Sequence, residues 1–430
     1  MTKKKLLFIT WDGPQTSYME GLFMPIFQEI AKNNDVKFYV LQFTWADENK
    51  ISHTRNVAEK MGISYSALPI IRKPNVSVGS LLTVFTSSNK IKKYIKENKI
   101  DIVMPRSTFP AMMINQIFGS KKVPFRGLKG EVKLIFDADG LPIEERIDFA
   151  GLKKDSVQYK LMKSAETKIL KNADAVITRS QKAIDVHINN IGEKNREKFS
   201  VVYNGRDKNL FKLNHDFRVL ARKELGLGDE FLFVYAGSLG PQYCLPEMLV
   251  IFNHHKMTKI SKFLILTGNT EFAEQNIPEE LLPNIILKSV KSDEVPFYLN
   301  AADVAFALRQ PTFSMQGVAP IKLGEYLLCG LPVIASKGIG DTDDILKNFQ
   351  ECYLYDHSSK LEKQKDKITD FLKKVVLADK KNLATKAQEF FSLEAAAESY
   401  INIINRVTNN YQPSTKYENP LPYKVYQNGW

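Results

Sequence analysis

The sequence predicts an α/β protein made of two doubly wound, Rossmann-like domains. Three observations carry this. Short apolar runs bounded by turn residues alternate with amphipathic stretches along almost the whole chain. The series restarts after an Asn-Gly turn near residue 205 with a second strand of first-strand character. The 430 residues, 44% hydrophobic and 25% charged, suit two or three globular domains, and no apolar run approaches the ~18–20 residues of a membrane span.

The N-terminus MTKKKLLFITWDG imitates a secretory leader, but its apolar segment breaks at Asp12, so LLFITW (6–11) reads as a first strand. A loop with Gly13-Pro14 and a helix from about Tyr18 to Asn33 follow, then the strand DVKFYVLQF (35–43). This is a β–loop–α–β opening without the G-x-G-x-x-G of dinucleotide binders. Between Ser77 and Lys99 an apolar half runs into NKIKKYIKENK, a basic amphipathic helix suited to an anionic membrane surface. The plain alternative is a solvated helix face covering a sheet. IDIVMP (100–105) is followed by Arg106, KLIFDADG (133–140) carries Asp137 and Asp139 at its end, and LPIEER continues with Glu144 and Glu145. Such strand ends are where open α/β sheets bind ligands. With ADAVITRS (173–180), this makes roughly five βα units in residues 1–204.

FSVVYNGRDKNLF (199–211) is the boundary. Six further strands are expected at 231–240, 263–268, 285–290, 302–308, 331–336 and 352–356. Gly237, Ser238 and Gly240 form a small-residue loop that lets a backbone approach a phosphate closely. RQPTFSMQGVAPIKLGEYLLCGLPVIAS (309–336) packs a loop, one helix and one buried strand together. Pro320 suits a first helical turn, Gly330 a C-terminal cap, and the helical period puts Lys322, Glu325 and Tyr326 on one arc. Residues 205–390 thus read as a second domain, 391–407 as a closing amphipathic helix, and 408–430 as a Tyr/Pro-containing tail, docked or disordered.

The net charge of +12 lies entirely in residues 1–200, so the first half is expected to meet something anionic. Cys244, Cys329 and Cys352 are widely spaced, without CxxC or histidine at ligand spacing, which argues against a disulfide framework or zinc site and fits a reducing cytoplasm. DTDD (341–344) reads as helix-cap chemistry, and His254-His255 as a surface pair.

Several segments together resemble the family 4 glycosyltransferases of bacterial surface-polysaccharide and lipopolysaccharide assembly. VVYNGRDKNLF is similar to the interdomain NG-x-D-x-x-x-F, FVYAGSL to x-x-G-R-L, and APIKLGEYLLCGLPVIAS to P-x-K-x-x-E-Y-x-x-x-G-x-P-V-I-A-S. DIVMPRS and LIFDADGLPIEER look like DIVHxRS and IxDxRGLxxEE. The resemblance, over about 1–407, implies the GT-B fold, two domains facing across a cleft with the C-terminal helix crossing back to the first. It implies transfer of a sugar from a nucleoside-diphosphate sugar to a glycan or polyprenyl-diphosphate-linked acceptor. Retention of configuration is expected, with no metal or other cofactor, in the cytoplasm or at the inner face of the membrane; no nucleic-acid partner is expected. Glu325 would take the ribose hydroxyls. Arg309 and Lys322 would neutralise the diphosphate, aided by backbone at Gly237, Ser238, Gly317, Val318 and Ala319. The base would lie near Val290. Gly13, Arg106, Asp137 and Asp139 are the acceptor-side candidates; Arg106 and Asp137 join Glu325, Lys322 and Arg309 as catalytic candidates. The chain departs from the family where the first Glu of E-x7-E is Gly317 and where the usual Arg is Ser238. Two other readings fit the same features: a GT-B nucleotide-sugar epimerase, and a catalytically degenerate glycan- or membrane-binding scaffold.

Overall fold

A computed structural model describes residues 3–118 and 132–408; the tail read at 408–430 lies, from residue 409 on, outside the described residues. Two all-parallel sheets are each flanked by helices. The first contains β1 (Lys4–Asp12), β2 (Val36–Thr44), β3 (Ser64–Pro69), β4 (Ile102–Pro105), β5 (Lys133–Asp137), β6 (Ala175–Thr178) and β7 (Phe199–Val201), in spatial order 3-2-1-4-5-6-7. Seven strands stand where about five units were expected. β3, SYSALP, is half-exposed along its length because it is an edge strand, so it lacks the buried apolar run that betrays the others. β1, in contrast, is central, and Leu6 to Ile9 are wholly buried on both faces.

The second sheet contains β8 (Phe231–Ala236), β9 (Ser261–Leu266), β10 (Ile285–Lys288), β11 (Val304–Ala307), β12 (Val333–Ser336) and β13 (Cys352–Tyr355), in order 10-9-8-11-12-13. Both orders reverse once, between β1 and β4 and between β8 and β11. The loops leaving these strands diverge there and open a crevice.

Helix Val76–Asn98 starts on Asn75, whose side chain accepts from the Val78 N–H, and ends at Lys99 in a left-handed conformation. Thr83, Val84, Ile91 and Ile95 face the sheet, while Lys90, Lys93 and Lys96 stay in solvent. The last helix, Leu393–Val407, is capped by Ser392 and buries Ala396, Tyr400, Ile403 and Ile404 among Met24, Phe27 and Phe38 of the first half. It therefore crosses back, as expected. No described helix is long and apolar enough to cross a membrane.

Two minor expectations fail. His255 is buried, not on the surface; its Nδ1 pairs with Ser261 Oγ at 2.8 Å and its ring packs on Phe231 and Phe233. An apolar helix face and a polar partner together outweigh the hydration of a neutral imidazole. Asp341 does not cap its own helix with its side chain. It accepts instead from the Gln181 N–H at 2.7 Å, at the start of helix Gln181–Ile191 in the first half. Helix-terminus chemistry was legible there, but not which helix it serves.

Candidate active site

The site lies where the crevices of the two sheets face one another. Its second-sheet side is built on helix Ile321–Leu328, which Pro320 precedes as N-cap. Tyr326 is buried and accepts from the Ala236 N–H at 2.9 Å, pinning the helix to the end of β8. One turn earlier, Lys322 crosses to the loop after β8. Its Nζ donates to the Tyr235 hydroxyl at 2.6 Å and lies 4.3 and 4.5 Å from the ring centroids of Tyr235 and Tyr243. Gly237 makes this possible. With φ at +138°, a Cβ there would sit 2.1 Å from Lys322 Cε.

Arg309 leaves β11 and shares Tyr243, its guanidinium 4.9 Å from that ring. Its backbone N–H donates to Ser336 Oγ at 2.8 Å. Among the described residues neither Lys322 nor Arg309 has a carboxylate within ion-pair distance. Lys322 keeps some solvent exposure. Even so, the protein packed around it, with Arg309 adding repulsion, holds its ammonium well below the ordinary lysine value. The arrangement is a pair of cations held by aromatic faces, suited to a polyanion that restores the charge balance.

Glu325 is on the same helix but engaged: its Oε1 lies 2.7 Å from Arg206 Nη2. Arg206, from the NG-x-D turn, also donates to the Gly21 carbonyl of the first half and stacks over Phe211. It was not anticipated, although its place within the quoted motif was the available signal. Tyr235 and Tyr243, flanking the glycine loop, were missed too; aromatic neighbours of a cation are invisible to spacing arguments. Val290 is half-buried against the second core, beyond β10. Ser238 is exposed, and its carbonyl accepts from the Tyr235 hydroxyl.

Gly317 has a structural occupation. Turn Ser314–Gly317 presses on the first half, so that a Cβ on Gly317 would lie 2.7 Å from the Leu141 N, and one on Gly140 would lie 2.3 Å from the Gly317 carbonyl oxygen. A glutamate has no room there in this arrangement. Around it the Ser314 N–H donates to Asp148, Ser180 Oγ to the Gln316 carbonyl, and Asn204 to the Ala319 carbonyl; the Val318 carbonyl packs on Gly340.

On the first-sheet side, Arg106 pairs with Asp139, and Arg179 Nη2 lies 2.8 Å from Asp137 Oδ2. Asp137 is fully buried and committed to Arg179, so of the two candidate acids only Asp139, at 25% side-chain exposure, reaches the crevice. Arg179 is a further residue that sequence reasoning missed. Arg106 stacks over Phe23 and Tyr18, and the protein packed around the Tyr18 hydroxyl, with Asp139 and Tyr243 adding to it, raises its pKa above the ordinary tyrosine value. Gly13 lies under Trp45, where a Cβ would meet the indole at 2.7 Å.

The second-sheet half has a sequence counterpart. Residues 217–390 match the family of glycosyl transferases group 1. No curated protein matches the chain. Solved structures align over nearly its whole length at low identity. HepE from Anabaena, in complex with UDP-glucose, is 16% identical, covering 94% of this chain and 99% of that one with a TM-score of 0.67. Sucrose-phosphate synthase from Thermosynechococcus elongatus is 15% identical over 95% and 100%, TM-score 0.67. WaaG, a glycosyltransferase involved in lipopolysaccharide biosynthesis, is 15% identical over 93% and 99%, TM-score 0.62. These likenesses show the fold: two Rossmann-like halves in the GT-B arrangement.

Proposed function

We propose that this chain transfers a sugar from a nucleoside-diphosphate donor, a uridine nucleotide by preference, to a hydroxyl of a glycan or lipid-linked glycan in bacterial surface-polysaccharide assembly. The observation that carries the proposal is the pair Lys322 and Arg309, held, among the described residues, without a carboxylate partner beside the Gly237 loop at the β8–β11 crevice. These residues fall inside the segment that matches a glycosyl transferase family, and HepE holds UDP-glucose on the same fold.

Departure of a nucleoside diphosphate concentrates negative charge on the leaving oxygen. Lys322 and Arg309 would neutralise that charge without a metal ion; removing one such donor typically lowers turnover about 10²–10³-fold. Glu325, oriented by Arg206, would accept from the ribose hydroxyls. Residues 1–204 would present the acceptor, with Asp139 and Arg106 at its hydroxyl and Asp137–Arg179 behind them as support. A front-face displacement needs no protein nucleophile and retains the anomeric configuration. The basic first half, with the exposed lysines of helix Val76–Asn98, would rest against an anionic bilayer at the cytoplasmic face, each near-surface lysine adding about 1 kcal/mol.

A thermal-shift series with UDP, GDP, CMP and their sugars tests this. One diphosphate should stabilise the protein by about 3 kcal/mol at a hundredfold excess over its Kd, and the effect should vanish in Glu325→Ala. Release of nucleotide only when an acceptor is present then separates transfer from epimerisation. Stabilisation by none of them, or equal stabilisation of Glu325→Ala, ends the donor-site reading.

A further inference from the structure

Behind the loop that carries Arg309, the fold brings His357 to two side chains, Cys244 and Glu247, from more than a hundred positions earlier in the chain. Cys244 sits immediately before helix Leu245–Lys256, Glu247 lies in its first turn, and His357 follows β13. The Cys244 Sγ, a Glu247 carboxylate oxygen and a His357 ring nitrogen all lie within 4.8 Å of one another. From these positions we infer a binding site for a thiophilic divalent cation of the zinc class.

The internal distances leave room for a shared ion and exclude a direct His357–Glu247 hydrogen bond. His357 Nδ1 and Glu247 Oε1 are 4.0 Å apart, too long for a hydrogen bond. Two ligands each about 2.0–2.2 Å from one tetrahedral zinc ion stand about 3.4 Å apart, so the exposed Glu247 side chain would move inward by roughly half an ångström to complete the site. The Cys244 thiol has only a weak contact, 3.6 Å, with the Gln310 side-chain oxygen. The other face of the imidazole is already committed: His357 Nε2 lies 2.7 Å from Ser336 Oγ, and the ring stands edge-on against Tyr355 at 4.8 Å. A metal-bound histidine is normally oriented in this way, through a partner on its second nitrogen.

Burial is graded across the three. Cys244 is 3% exposed and the His357 side chain 8%, whereas the Glu247 side chain is 32% exposed. An ion would therefore have an entry path past the glutamate and an open fourth position. Thiolate, imidazole and one carboxylate form a mixed soft and borderline donor set. It suits zinc or cobalt and not magnesium or calcium, which require oxygen ligands. Binding forms a sulfur–metal bond and releases the thiol proton to solvent. The imidazole would coordinate through Nδ1 as the tautomer that carries its proton on Nε2, facing Ser336. Because Ser336 Oγ also accepts the Arg309 N–H, an ion here would brace the loop that carries Arg309.

Chelator-treated full-length protein titrated with Co²⁺ gives a readout that does not depend on any sugar donor. The expected result is one equivalent bound, with a thiolate-to-cobalt charge-transfer band, intense visible bands of a four-coordinate ion, and displacement by Zn²⁺. The charge-transfer band should be lost in Cys244→Ser and kept in Cys352→Ser. Ser336→Ala should weaken the affinity about 10–100-fold, as loss of an orienting partner does. Absence of the charge-transfer band, or its persistence in Cys244→Ser, overturns the site. If Cys244→Ser does not fold, His357→Gln decides by the same spectra: loss of the four-coordinate bands supports the site and their retention refutes it. Failure here leaves the donor-site proposal standing, since that is read with nucleotides.

Discussion

At the carboxyl end of the first sheet, Arg106 and Arg179 each lie against an aspartate, and the Arg179–Asp137 pair is almost wholly buried. At the same end of the second sheet, Lys322 and Arg309 lie against Tyr235 and Tyr243 instead. Both edges concentrate cations at a topological switch point, but the first balances its charges internally. The second leaves its charges to be balanced from outside. Internally paired groups hold loops in place, and removing one member strands the other in a low-dielectric site. Cations resting on ring faces strand nothing when removed, and they are free to change partner when an anion arrives. The difference separates residues that build the crevice from residues that would act in it.

The largest effect is expected on the balanced side. Arg179→Met leaves the Asp137 carboxylate buried and unpaired, so unfolding in urea should show a loss of about 3–5 kcal/mol. A loss below about 1 kcal/mol would mean that the pair is not what orders these loops. Lys322→Ala should do the reverse, with stability nearly unchanged near neutral pH and kcat/KM for a uridine-diphosphate sugar falling about 10²–10³-fold. Equal stability losses in the two variants, with donor kinetics intact, would erase the distinction between the two edges. A pH signature accompanies Lys322. Its folded-state pKa is depressed, so between that value and the ordinary one the unfolded chain binds the extra proton. Stability from this group therefore rises with pH through that window and is lost as pH falls; Lys322→Ala should lack the rise.

The contact joining the edges gives a smaller effect. Gly317→Ala forces a methyl against Leu141 and Gly140, and overpacking of this kind costs about 1–3 kcal/mol. Placing an acid there, as Gly317→Glu, should lower activity, not raise it; a gain in kcat would show that the two halves separate more readily than this packing suggests. Last, His255 tests a pKa shift that burial dominates. Burial, with Lys259 adding to it, lowers its pKa to about 4 from an ordinary value of 6.5. Between those values the unfolded state binds more protons, so stability should fall as pH drops through the window. The loss is on the order of 2–3 kcal/mol. The pH dependence of Tm should flatten there in His255→Gln.

What could be read from the chain alone follows from local physics. All six strands of the second sheet were legible because each is a short apolar run between turn residues, and the return helix because Leu393–Val407 carries one apolar stripe. Lys322 and Glu325 were legible because a helical period fixes which residues share a face. β3 was not, since an edge strand need not be apolar on both faces. Nor could the chain show whom each side chain meets. That Glu325 is held by Arg206, that Gly317 seals against Gly140, and that Cys244, Glu247 and His357 converge are consequences of how separate segments pack. Periodicity and propensity act over a few residues, whereas ion pairs, close backbone approaches and ligand sets join residues a hundred or more positions apart. Local patterning thus suffices for two doubly wound sheets and for the helix that faces the crevice, whereas long-range packing sets which cations, among the described residues, rest on rings instead of carboxylates.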